Sequence, residues 1–321
     1  MLAGEFHPGM AWTATQLSST TDKAPGIAIT GANTAVGVIR NTTFGNEVAY
    51  TTWAPGSFQA FTSIANAVTT QAAPSIAASG TRADVVFLGD DKNHYYASRV
   101  ATWSPTAQPV GATLQSSGPT PAAIATIGSD TIVAFAGTNG ELYDQTRTGG
   151  VWGAASAHGL GNSVELSPAL IAPTSGPSLM IVYVRSADAK IFFTTRTGTS
   201  WTTPSLIDAS SFTADPVALA ALPNGEAVLA FRGLNQAIYF SRYTPAGSPA
   251  WSPPAAFAVP NVTTPSRPAL AAGVGGVDAE MGFINAIDGK AYHARLTGTS
   301  WSAPVAVGGT QLTTVAIASA P

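Results

Sequence analysis

The phrase RTGTSW at residues 196–201 returns almost letter for letter as RLTGTSW at residues 295–301. Between them, YTPAGSPAW at 243–251 closes on the same residue type, Trp251. The tryptophans at 103, 152, 201, 251 and 301 follow one another at intervals of 49, 49, 50 and 50 residues. A fixed period of this size marks a repeat architecture, one small supersecondary unit copied along the chain. Trp53 falls out of phase. Phe58 stands 45 residues before Trp103 and 46 after Trp12, and takes the place of a tryptophan in the series.

Each unit reads in four steps. A small, apolar run follows a proline, as in APGIAIT (24–30), TPAAIAT (120–126) and RPALAAG (267–273). A larger apolar run ends in a polar cluster, as in DVVFLGD (84–90) and AVLAFRG (227–233). An aromatic-rich run comes third, as in HYYASRV (94–100) and IYFSRYT (238–244), and the Trp segment fourth, as in WTTPSLI (201–207). These are strands A, B, C and D. Four short strands joined by Gly, Asn, Asp and Ser turns form an antiparallel meander. No segment carries a capped, 3.6-residue apolar stripe, so few helices are expected. One four-stranded sheet cannot bury both faces, whereas sheets stacked radially can, and the result is a β-propeller. The small residues of strand A suit the crowded axis, and the aromatics of C and D fill the wider gaps outside it.

Six units are complete, near 24–66, 73–112, 119–160, 167–210, 215–260 and 266–308. The ends look like parts of a further unit. TTVAIASAP (313–321) reads as a strand A, MAWTATQL (10–17) as a strand D, and GEFHP (4–8) is similar to KAYHA (290–294) of strand C. The expectation is therefore a single all-β domain over 1–321. It is a propeller of seven four-stranded antiparallel blades, the last closed by residues 1–17 together with 313–321 and lacking a complete strand B. Closure by both termini would remove exposed sheet edges. Six blades with extra terminal strands is the alternative.

Composition narrows the function. Charged residues are 10% of the 321, hydrophobic ones 45%, with 32 glycines and 23 prolines. A net charge of −3 argues against nucleic acid, which needs a basic face. No run of about 18 apolar residues suggests a membrane span. MLAGEFHPGMAW (1–12) shows no secretory signal. A secreted or cell-surface protein remains the favoured reading, its signal absent from this sequence. There is no cysteine, hence no disulfide and no thiolate metal site. His7, His94, His158 and His293 have no metal-ligand spacing, and no cofactor is expected. Low lysine with high alanine and glycine points to a GC-rich bacterial source.

A unit such as IDGKAYHARLTGTSWSAPVAVGG (287–309) resembles the repeats of bacterial propeller lectins of the Photorhabdus lectin type. It is similar, more distantly, to the six-bladed fungal fucose lectins and to the sialidase/BNR propellers. The first resemblance implies seven blades and fucose or related sugars bound between them. Sialidase Asp-boxes read Ser-x-Asp-x-Gly-x-x-Trp, whereas the turns here, TRTGTSW and RLTGTSW, have no aspartate. The fungal lectins grip their sugar with an arginine on strand B and a glutamate on strand C. Here the strand C positions carry Tyr96, Asp144, Phe193, Phe240 and His293.

The B-to-C connections are the candidate binding surface. They begin at Arg40, Gly89, Ala136, Arg185, Arg232 and Asn285, and continue through Asn41, Asp90, Asp91, Asn93, Asn139, Asp188, Asn235 and Asp288. Sugars need planar donors and acceptors beside an aromatic plate, which Tyr96, Tyr143, Tyr239 and Tyr292 would supply. The favoured ligand-binding set is Arg40, Asp90, Asn93, Arg185, Asp188, Arg232, Asn235, Asp288, Tyr96 and Tyr239. Arg185 and Arg232 stand out as matching positions of adjacent units, directly after an apolar strand, where an arginine is costly unless paired or used. The competing reading is that Asp, Asn and Gly only shape turns and the arginines cover aromatic edges. The tryptophans read as blade-to-blade packing, Arg99, Arg147 and Arg196 as solvent-facing or packed beside the next Trp, and His94 and His293 as local packing or hydrogen-bonding groups.

Three functions fit. A non-catalytic, multivalent carbohydrate-binding propeller comes first, with glycans as partners and a homo-oligomer possible. A sialidase-type glycoside hydrolase would need a carboxylate pair drawn from Asp90, Asp91, Asp188, Glu226 and Asp288. A structural or protein-interaction propeller would pair its incomplete blade with a partner strand.

Overall fold

The computed structural model describes residues 2–5, 13–16, 19–32, 34–55, 57–64, 68–111, 115–116, 118–159, 164, 166, 168–173, 176–222, 225–257, 262–308 and 311–319. Six antiparallel sheets of four or five strands follow one another along the chain. They are the blades of a propeller. Their inner A strands are Gly26–Gly31, Ser75–Ser79, Ala123–Ile127, Ala169–Ile171, Ala218–Ala221 and Ala269–Ala272. Their B strands are Thr34–Asn41, Arg82–Leu88, Asp130–Ala136, Leu179–Val184, Ala227–Arg232 and Ala279–Ile284. A 3-10 turn, Thr42–Phe44, follows strand B of blade 1.

The number of blades corrects the seven expected from the sequence. Leu2–Glu5 and Thr13–Gln16 pair only with each other, as a two-stranded sheet. Residues 312–319 form no strand. The physical reason is that a blade needs a ladder, and the C-terminal segment has no strand B beside it to supply one. It packs on blade 6 instead. Val315 lies against Gly282, and the Ser319 hydroxyl donates to the Ala272 carbonyl. Residues 1, 6–12, 17, 320 and 321, part of the expected closing blade, lie outside the described residues.

The B strands read as unbroken apolar runs because both of their faces are covered. In blade 2, Val85 and Phe87 pack towards blade 1 with Val36, Val38 and Ile64, while Val86 packs towards blade 3 with Val133 and Phe135. The same alternation joins blades 3 and 4 through Ile132, Ala134, Leu179 and Ile181. It joins blades 4 and 5 through Met180, Val182, Leu229 and Phe231.

The recurring Gly-Thr-Ser phrase is the C-to-D hairpin. Thr197 pairs with Ser200 and Arg196 with Trp201, which leaves Gly198 and Thr199 as a two-residue turn. Gly198 takes φ 62° and Gly298, its counterpart, φ 61°, a region where glycine pays no steric cost. Phe58 pairs with Trp53 as Trp201 pairs with Arg196, so Phe58 stands in the tryptophan series. Four of the five later tryptophans lean on a Tyr or Phe of the preceding blade: Trp103 on Tyr50 at 5.5 Å, Trp152 on Tyr96 at 5.5 Å, Trp251 on Phe193 at 5.8 Å and Trp301 on Phe240 at 5.7 Å. All four contacts are edge-to-face, the geometry aromatic quadrupoles favour. The outer strand is short and is interrupted just after the tryptophan, where Pro204, Pro253, Pro254 and Pro304 fall.

A second repeated contact sets the turns. Asn46, Lys92, Gly140, Ala189, Gln236 and Gly289, one in each B-to-C turn, take φ between 57° and 72°. Their carbonyls accept the N–H groups of Thr70, Ser116, Val164, Thr213, Thr264 and Leu312 at 2.8–3.0 Å. Each left-handed turn residue thus holds the strap leaving its own blade.

Two measurements test this packing. Trp251 is 2% exposed, and Trp251→Ala is expected to lower unfolding free energy by about 3–5 kcal/mol in denaturant titration. A loss under ~1 kcal/mol would show that the indole does not wedge blades 4 and 5 together. His94 is buried against Phe135 at 4.7 Å, and neither ring nitrogen has a hydrogen-bond partner. Burial holds its pKa down to about 4. Below about pH 6.5 the unfolded chain takes up a proton that the folded chain refuses, so stability falls with pH across the window down to 4. The loss is roughly 3 kcal/mol, at about 1.4 kcal/mol per pKa unit. His94→Phe should flatten that part of the stability profile, and an unchanged profile would refute the assignment.

Candidate functional site

One face of the ring carries the B-to-C turns. In five blades an aromatic of strand B stacks on one of strand C. The pairs are Phe87–Tyr95, Phe135–Tyr143, Tyr183–Phe192, Phe231–Tyr239 and Phe283–Tyr292, with centroids 5.6–5.9 Å apart and planes within 16–20°. An Asp or Asn in the turn caps each stack. Asp91 and Asp288 accept from the Tyr95 and Tyr292 hydroxyls at 2.8 Å, while Asn139 and Asn235 donate to the Tyr143 and Tyr239 oxygens at 3.0 Å. The same residues, and Asp188, accept the backbone N–H two positions on at 3.0–3.3 Å, as Asx turns do. Shaping the turn and presenting an aromatic are one function of these side chains, so the two competing sequence readings describe the same residues.

Turn length decides what precedes the cap. In blades 2, 3 and 5 the turn is closed by Gly89 N–H to Asn93 C=O, Gly137 to Glu141 and Gly233 to Ala237. The tyrosine ring lies on the glycine, and a Cβ at any of the three would sit 2.7 Å from a ring carbon. In blades 4 and 6 the turn is one residue longer, closed by Arg185 N–H to Lys190 C=O and Asn285 to Lys290. A side chain fits there. Arg185 uses the room: its guanidinium lies 4.4 Å over the Phe192 ring and meets Asp188 through Nε at 3.0 Å and Nη2 at 2.5 Å. Phe192 has no hydroxyl for Asp188 to accept from, and Arg185 takes that role.

Arg40 and Arg232 form a different pair of matching positions. Arg40 pairs with Val48 and Arg232 with Ile238, each at the end of strand B. Arg232 Nε donates to Asp215 at 2.6 Å, and Arg40 donates to Asp22 at 2.5 Å and to the Thr70 carbonyl at 2.7 Å. Asp22 stands three residues before Pro25 and Asp215 directly before Pro216, at 18 and 17 residues ahead of their arginines. The register corrects the expected match between Arg185 and Arg232. Val184 is the counterpart of Arg232, and Arg185 stands one place beyond it.

The remaining expected residues divide. Asp90 is exposed and accepts from Thr69 at 2.5 Å, and Asn93 donates to Asp91 at 2.7 Å. Tyr239, Asn235, Asp188 and Asp288 lie in the capped turns. Tyr96 does not. It is 2% exposed between blades 2 and 3, its hydroxyl bonded to buried Asp84 at 2.8 Å, with Arg147 4.8 Å over its ring. Tyr95, on the opposite face of the strand, is the residue that belongs with Tyr143, Tyr239 and Tyr292.

Charge is settled locally. The bonds from Arg185 hold the Asp188 carboxyl below the usual range, and the Lys290 N–H does the same for Asp288. At Asp91 burial pulls upward, but hydrogen bonds from Asn93 and Tyr95 outweigh it and lower the pKa. The carboxylates considered for glycoside hydrolysis are dispersed: Asp90 and Asp91 in blade 2, Asp188 in blade 4 and Asp288 in blade 6. Glu226 lies in the A-to-B turn of blade 5, on the other face, paired with Arg242 at 2.6 Å.

No protein-family model matches the sequence, and no curated protein does. Solved structures do. The BP39L lectin from Burkholderia pseudomallei is 15% identical and superposes with a TM-score of 0.77 over 94% of this chain and 90% of its own. AofleA from Arthrobotrys oligospora is 10% identical, with a TM-score of 0.64 over 94% and 92%. The lectin of Aleuria aurantia, described as a six-bladed propeller with a fucose recognition mode, is 13% identical, with a TM-score of 0.60 over 92% and 99%. The likeness is one of fold: this chain is a propeller of the architecture those lectins share.

The Arg185–Asp188 pair is partly solvated, with side chains 38% and 28% exposed. Arg185→Ala should therefore change unfolding free energy by less than about 1 kcal/mol. A larger loss in thermal or denaturant unfolding would mark the pair as structural and disqualify the variant as a binding probe.

Proposed function

We propose that the chain is a non-catalytic carbohydrate-binding propeller that engages glycans along the face carrying the B-to-C turns. One observation carries the reading: capped aromatic stacks recur in five blades of that face, beside the accessible Arg185–Asp188 and Arg232–Asp215 pairs. An aromatic plate serves the C–H side of a pyranose, and planar charged groups exchange hydrogen bonds with its hydroxyls. The lectins that share the fold support the same class of ligand, and the fucose recognised by the Aleuria lectin is the first sugar to test. Several equivalent sites on one rigid ring would add by avidity, so multivalent glycans should bind more tightly than free monosaccharides. Arg40, Arg185 and Arg232 act as donors in this reading, Asp90, Asp188 and Asp288 as acceptors, Asn93 and Asn235 as both, and Tyr239 as a plate.

Glycan-array binding tests it. The wild-type chain should bind a restricted set of glycans, and Arg185→Ala combined with Arg232→Ala should abolish or strongly weaken that binding while circular dichroism stays unchanged. Silence of the folded wild type on a broad array would overturn the proposal.

A further inference from the structure

The axial channel has two unlike ends. Where the A-to-B turns meet, it is a space of about 570 Å³ walled by alanine, glycine, isoleucine and leucine, with Ser319 at its edge. At the end shared with the B-to-C turns it narrows to about 210 Å³. The wall there is built from the first residues of the six inner strands and from residues 315–317, nearly all alanine, proline and aliphatic. Arg267, just before Pro268 of blade 6, is the one charged side chain lining it among the described residues.

Arg267 has no hydrogen bond or ion pair among the described residues. Asp215, in the strap entering blade 5, attracts it through space, but that carboxylate already accepts from Arg232 Nε at 2.6 Å. Two guanidinium groups share one carboxylate, leaving one positive charge uncompensated. The ring encloses the Arg267 side chain, although the hollow of the channel keeps part of it in contact with water. Burial pulls its pKa below the usual arginine value, and Asp215 opposes the shift; the group stays charged. Enclosed charges in proteins are paired or used. A guanidinium offers a planar fork of donors that matches a carboxylate or sulfate oxygen pair.

We propose that this mouth of the channel is an oxyanion site centred on Arg267, suited to the carboxylate of a sugar acid or to a free inorganic oxyanion. The volume admits one small guest. Ser75 is the one other polar side chain lining this end among the described residues and it carries no charge, so the guest would take its charge-assisted bonds from Arg267 alone. The site lies on the axis, apart from the turns assigned to neutral sugars, and stands whether or not that assignment holds.

Calorimetric titration of the whole chain with sodium glucuronate, sodium sulfate and neutral glucose, at constant ionic strength, tests it. One glucuronate or sulfate should bind per chain, R267Q should weaken that binding by at least about tenfold, and glucose should give no signal that depends on Arg267. Glucuronate without sulfate identifies a site that also reads the sugar ring; sulfate of equal or greater affinity identifies a free-anion site. A second readout needs no variant: in the wild-type protein the Arg267 Nε–H resonance should shift on titration with the bound anion. Absence of anion binding to the wild type, equal affinity in a folded R267Q, or a stationary Arg267 resonance at saturating anion would each overturn the proposal.

Discussion

A single backbone hydrogen bond, made six times over, holds this ring to its geometry. The carbonyl of a left-handed residue in each B-to-C turn accepts the N–H of the strap leaving the same blade. The strap cannot drift outward, so the next inner strand enters at a fixed distance from the axis. At Thr70, Thr213 and Thr264 the hydroxyl also bonds within the strap, and these three residues are fully buried. The apolar faces then meet at a set angle, and the tryptophan of one blade finds the aromatic of the last.

The same bond explains why the rim can carry polar chemistry. A turn pinned from behind holds its capping residue in place, so that one end of the side chain closes the turn and the other reaches the tyrosine. Asp91, Asn139, Asn235 and Asp288 are free to cap tyrosines, and Arg185 can replace a glycine where the turn is one residue longer. On the opposite face the C-to-D connections are short hairpins such as Gly198–Thr199.

Much of this was legible in the sequence, at the level of texture. The tryptophan period marks the hairpin, and the small residues of APGIAIT or RPALAAG mark the axis. Texture failed where one residue decides. Tyr96 and Tyr95 are neighbours in one strand, and a strand turns alternate residues to opposite faces, so a slip of one place moves an aromatic from the rim into the core. Arg185 and Arg232 look equivalent because each follows an apolar run, yet the longer turn of blade 4 shifts one of them. The termini carry the wording of a seventh blade, but wording does not form a ladder, and residues 312–319 have no strand to pair with. Arg267 is legible in the sequence before Pro268; only the closing of the ring shows that it faces a hollow and that Asp215, the acid that attracts it, is already bonded to Arg232.

The prolines that follow the tryptophan in blades 2, 4, 5 and 6 (Pro105, Pro204, Pro253 and Pro304) bear on how such discs meet in solution. An unbroken outer strand would be a template on which a neighbour's strand could extend the sheet, disc after disc. Segments as brief as Gln108–Pro109 or Ala255–Ala256 offer too few donors for that. Any pairing of two copies is thereby steered from the circumference to the flat sides, where turn residues rather than main-chain hydrogen bonds would choose the partner.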